Sequence, residues 1–168
     1  MSNIDIYMLK HPEGVIETIE LENSFGGAPF VWDVMAQKYL GTTKFQYLFH
    51  TDKIWPLWKR KDIPEHHRTV LGITYDNMVI TKNDFKRASQ DIHKFLEDFP
   101  PQLDTENHWL EISEILLNEE SADAIGFSWT SVNDSPFMEW DYAIEEYKPL
   151  NWKKYWSIYH RFDNQINK

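Results

Sequence analysis

The chain has 168 residues, no cysteine and a net charge of −10. That length is enough for one domain whose core needs no disulfide, and the lack of cysteine removes thiol catalysis, iron–sulfur clusters and Cys-ligated zinc. Hydrophobic residues make up 42%, close to the globular norm once glycine is added, so a folded chain is expected rather than a disordered one.

In chain order, Ile4, Ile6 and Met8 alternate as a half-buried strand does, and His11-Pro12-Glu13-Gly14 reads as a turn. Val15–Glu22 then completes a β-hairpin. Pro29 suits the first turn of a helix carrying Phe30, Val31, Val34 and Met35, with Gly41 as its stop. Phe45, Tyr47, Leu48 and Phe49 form an aromatic patch, and Asp52 could cap a short helix through Trp58. Pro64–Lys82 reads as a short helix at 64–68, then a hairpin of Val70–Ile73 and Met78–Ile80. Asn83 or Asp84 caps an amphipathic helix with Phe85, Ala88, Ile92, Phe95 and Leu96 on one face, and Pro100-Pro101 ends it. A helix over Thr105–Leu117 turns Trp109, Ile112 and Leu116 inward and Glu106, Glu111 and Glu114 outward. Ala124–Val132 reads as a strand and Met138–Tyr147 as an edge strand. Asn151 opens a last helix with Trp152, Tyr155, Trp156, Tyr159 and Phe162. These elements predict one α+β domain over 1–168, with a small antiparallel sheet and four to five helices.

Charge is unevenly spread. Residues 101–150 hold 12 acidic side chains against Lys148 alone. Such a field repels nucleic-acid phosphate and anionic lipid and attracts basic protein surfaces. Glu106, Glu111, Glu114, Glu119, Glu120 and Asp123 are therefore the candidate partner-binding residues. The aromatic terminal helix adds Tyr155 and Trp156, because Trp and Tyr give large contact area at low entropic cost. A second copy of the chain could meet that helix. No direct contact with nucleic acid or a membrane is expected. Uncharged stretches such as Asn23–Trp32 fall well short of the roughly 20 apolar residues a membrane helix needs. The opening MSNIDIYMLKHPEG lacks the basic and apolar regions of a signal peptide, so a cytoplasmic setting is expected.

Catalytic motifs are weak. Gly126-Phe127-Ser128-Trp129-Thr130 has Thr130 where a nucleophile elbow needs glycine. His93 with Glu97, and His108 with Glu111, have helical spacing, yet neither pair has a marked third ligand, so no metal and no cofactor is expected. His66 and His67 at a helix start could offer a general base but read more simply as surface residues. Gly26 and Gly27, ahead of a helix N-terminus, are the candidate ligand-binding loop, or else a joint needing positive φ. Trp55–Lys61 interleaves aromatics with bases, which fits an amphipathic helix better than a strand-binding platform.

The reading that follows is a non-enzymatic acidic protein that engages, and inhibits or regulates, a basic protein such as a nucleic-acid-binding one. Accessory proteins encoded by phages or other mobile elements, and immunity proteins to nuclease toxins, often use this physics, which is an analogy of class and not a resemblance of sequence. One alternative is a small hydrolase or nucleotide-binding enzyme built on the Gly26-Gly27 loop with a His base. Another is a structural or assembly subunit.

Overall fold

Alternating apolar residues at the N-terminus build the centre of the sheet. In the computed structural model, which describes residues 3–22, 26–101, 108–129, 137–149 and 157–164, β1 (Asn3–Lys10) pairs antiparallel with β2 (Gly14–Glu22). β1 pairs on its other side with β4 (Ala124–Ser128), and β4 pairs with β3 (Met78–Thr81). The four-stranded order is β2-β1-β4-β3. β2 is thus an edge strand.

The pleat sorts side chains by face. Ile4, Ile6, Met8, Met78, Ile80, Ile125 and Phe127 point to one side, where the helices cover them in a continuous core. Tyr7, Leu9, Val79 and Ala124 point to the other, under Phe137. Gly126 gives that ring room, since a Cβ there would lie 2.3 Å from Phe137 Cζ.

Six helices accompany the sheet among the described residues: α1 (Ala28–Leu40), α2 (Thr51–Ile54), α3 (Glu65–Ile73), α4 (Phe85–Asp98), α5 (His108–Asn118) and α6 (Ile158–Asn164). α1 starts with proline in its first turn and stops at Gly41 in the left-handed conformation, both as expected. Buried Asp33 holds the next loop by accepting the Phe45 N–H at 2.8 Å. In that loop Tyr47 is buried, while Phe45, Leu48 and Phe49 are exposed. The segment after α2 continues as a 3-10 turn, Trp55–Lys59.

α4 buries Phe85, Ala88, Ile92 and Phe95 of the face its periodicity marks, while Leu96 of that face is only half-buried against the core. Asp84 does sit at the N-cap but makes no capping bond. Its Oδ2 instead accepts hydroxyls from Thr81 at 3.2 Å and Ser157 at 2.8 Å. In α5, Trp109, Ile112 and Leu116 are buried as expected.

Two local readings need correction. Val70–Ile73 is not a strand but the second half of α3. Residues 67–73 are buried all round, so the apolar run carries no face and its period is hidden. Met138–Tyr147 is not an edge of the main sheet. β5 (Met138–Asp141) and β6 (Glu146–Pro149) form a separate two-stranded sheet. The strand expected over 124–132 is described to Ser128, and residues 130–136 lie outside the described residues. The last helix is described from Ile158, with Tyr159 and Phe162 buried. Among the described residues no helix is long and apolar enough to cross a membrane.

Candidate functional site

α5 is held in one rotation by its inner face. Trp109 is fully buried, and its indole N–H donates to the Gly27 carbonyl at 3.2 Å. Ser113 Oγ lies 2.7 Å from Ser89 Oγ and 2.9 Å from His93 Nε2 on α4. The stripe away from these contacts carries Glu111, Glu114, Ile115 and Asn118, whose i, i+3, i+4, i+7 spacing keeps them together.

That stripe faces β2. Glu17, Ile19 and Leu21 share the helix side of the sheet because their partners in β1 are the core residues Met8, Ile6 and Ile4. Since β2 ends the sheet, its side chains are only partly covered. Between strand and helix runs an open groove of about 390 Å³. Met8, Ile19, Leu21 and Ile115 form its apolar floor, and Glu17, Glu111, Glu114 and Glu119 form its rim with Asn118.

The four carboxylates are differently engaged. Glu111 Oε1 lies 3.4 Å from His108 Nδ1, a long contact. Glu119 Oε1 accepts the N–H groups of Ser121 and Ala122, both at 2.8 Å, and so fixes the turn after α5. Among the described residues no hydrogen bond or ion pair engages the carboxylates of Glu17 and Glu114. Four acidic groups around one groove raise its negative potential, and low-dielectric walls focus it.

The other anticipated partner residues fall elsewhere. Glu120 is exposed beyond the groove, where its backbone carbonyl accepts Lys82 Nζ at 2.7 Å. Asp123 braces the first hairpin, with Oδ2 accepting the His11 N–H at 3.3 Å. Glu106, Tyr155 and Trp156 lie outside the described residues. Gly27 is buried at the N-cap of α1 with φ −92°, so this joint does not use positive φ there. Gly26 is half-buried beside it. Ser128 lies on a fully buried strand, paired with Asp5, and not at a turn into a helix.

His67 is not a surface residue, which corrects the expectation from sequence, whereas His66 stays partly exposed. α3 presents both in its first turn, and His67 is 2% exposed against Phe95 and Phe99. His66 Nε2 and His67 Nε2 converge on Asp98 Oδ2 at 2.6 and 2.7 Å. Tyr39 Oη, near the end of α1, lies 2.5 Å from His67 Nδ1. Burial pushes the His67 imidazole below its ordinary value, against the opposing pull of Asp98. The bonds from His66 and then His67 hold the Asp98 carboxyl below the usual range. The row Tyr39–His67–Asp98 has the order of a nucleophile relay. Burial, then the Asp98 and Asp62 charges, push the Tyr39 phenol up, which makes it a poor nucleophile. Two imidazole nitrogens and a carboxylate oxygen are instead a donor set for a transition metal. Asp98 was not legible as a partner because it lies 31 residues from His67.

No protein-family model, curated protein or solved structure matches the chain.

Proposed function

We propose that this chain is a non-enzymatic binding protein whose groove between α5 and β2 takes a basic, amphipathic segment of a partner protein. One observation carries the reading. Glu17 of an edge strand meets Glu111, Glu114 and Glu119 of a distant helix and turn around one apolar floor. Lysine or arginine side chains would meet the rim, and an apolar side chain between them would cover Met8, Ile19, Leu21 and Ile115. The apolar contact supplies affinity, and the rim speeds encounter and selects against acidic partners. Occupying a basic surface of the partner in this way would inhibit or regulate it.

The test is methyl and amide NMR during titration with a peptide of alternating lysine and leucine. The Met8, Ile19, Leu21 and Ile115 signals should move together and saturably. A peptide of alternating glutamate and leucine should leave them in place. Shifts confined to another surface, or none at millimolar peptide, would overturn the proposal.

A further inference from the structure

We propose that His66, His67 and Asp98 form a binding site for one divalent transition-metal ion of the zinc class. This site is separate from the acidic groove and does not depend on its function.

The argument is geometric. The ligand atoms His66 Nε2, His67 Nε2 and Asp98 Oδ2 lie within 4.8 Å of one another. They come from two elements, the first turn of α3 and the last residue of α4. Zinc takes nitrogen and oxygen ligands at about 2.0–2.2 Å in tetrahedral array, which separates adjacent ligand atoms by about 3.3 Å. The present N–O distances of 2.6 and 2.7 Å must therefore open by about 0.6–0.7 Å, and the two imidazole nitrogens, which lie within 4.8 Å, must take the same spacing. Asp98 can supply that movement, because its side chain is 48% exposed while that of His67 is 2% exposed. The exposed side of the cluster leaves the fourth position to water.

The surroundings fit a prepared ligand. Metal-binding imidazoles are held by a partner on the other ring nitrogen, and Tyr39 Oη occupies that place at His67 Nδ1. Loading puts the proton of each ring on Nδ1, so the phenol oxygen accepts from His67 Nδ1–H. Edge contacts from His66 and Phe95, with a tilted contact from Phe99, fix the ring plane. The carboxylate is the hard donor that balances one unit of the ion's charge. A bound ion would clasp the start of α3 to the end of α4.

Isothermal titration of chelator-stripped protein with zinc chloride tests the site. The full chain should bind one equivalent. His66→Ala and Asp98→Asn should each weaken binding at least tenfold. Tyr39→Phe, which removes only the positioning bond, should weaken it about 10- to 100-fold while the fold is kept. His93→Ala, which leaves the cluster untouched, should bind as the parent does. Wild-type protein that takes no zinc in the micromolar range, or variants that bind equally well, would overturn the site. Imidazole ¹⁵N spectra of unsubstituted protein avoid any folding defect. Zinc should shift the His66 and His67 signals. Shifts only at His11, His50, His93, His108 or His160 would contradict the proposal.

Discussion

Trp109 and Trp129 stack with ring centroids 5.7 Å apart and planes 25° from parallel. Each indole N–H is committed to a carbonyl in another element, Trp109 to Gly27 at 3.2 Å and Trp129 to Ile73 at 2.7 Å. This pair joins α5, the end of β4, the start of α1 and the end of α3. It is also what aims Glu111 and Glu114 at β2, since α5 cannot rotate without exposing Trp109.

Trp109→Ala therefore has two expected effects. Truncating a fully buried aromatic should cost about 3–5 kcal/mol in urea unfolding, and the remaining folded protein should bind the lysine–leucine peptide more weakly. A loss below about 1 kcal/mol, typical of a surface site, would mean that Trp109 does not anchor α5.

A second prediction concerns alkali. The buried Tyr159 hydroxyl donates to Asp91 Oδ2 at 2.7 Å, and Thr69 Oγ1 donates to the same oxygen at 3.0 Å. Burial, then the Asp91 charge, push the Tyr159 phenol well above its ordinary value. Its proton is thus held in the folded state at pH values where the unfolded chain releases it. The stability it contributes is complete below about pH 10, the unfolded phenol value. It is lost as the pH rises further, by at most about 1.4 kcal/mol per pH unit for one group. Tyr159→Phe should lower stability at pH 7 by about 1–3 kcal/mol, because Asp91 loses a donor. It should also make the fall above pH 10 shallower, since Tyr7 and Tyr75, whose phenols are also raised, remain. Parallel alkaline curves for the two proteins would contradict this account.

How far the residues alone predict these features depends on whether the signal is local. α4 was legible because Phe85, Ala88, Ile92 and Phe95 repeat at helical spacing with charges opposite. The second half of α3 was not, because Val70, Leu71, Gly72 and Ile73 are all buried and no polar face marks the period. Gly72 even admits Ile158 of α6, whose Cδ1 would lie 2.2 Å from an added Cβ. The site divides in the same way. Glu111, Glu114 and Glu119 could be anticipated from charge and helical face. Glu17 and the floor residues Ile19 and Leu21 could not, since they meet α5 only through the register of β2 with β1. His66 and His67 were visible as a pair, but their depth and their shared partner Asp98 are products of how α3 packs on α4.

The acidic groove is tested most directly by the association rate of the lysine–leucine peptide with wild type and with the Glu111→Lys, Glu114→Lys double variant. Stopped-flow fluorescence at low and at physiological salt supplies the rates. Neither side chain is buried in the core, so the unfolding midpoint should barely change. At low salt the variant should associate several-fold more slowly. Its rate should also depend less on salt, because screening with a Debye length of about 8 Å at physiological ionic strength removes an attraction the variant no longer has. Equal rates and equal salt dependence in the two proteins would contradict the account.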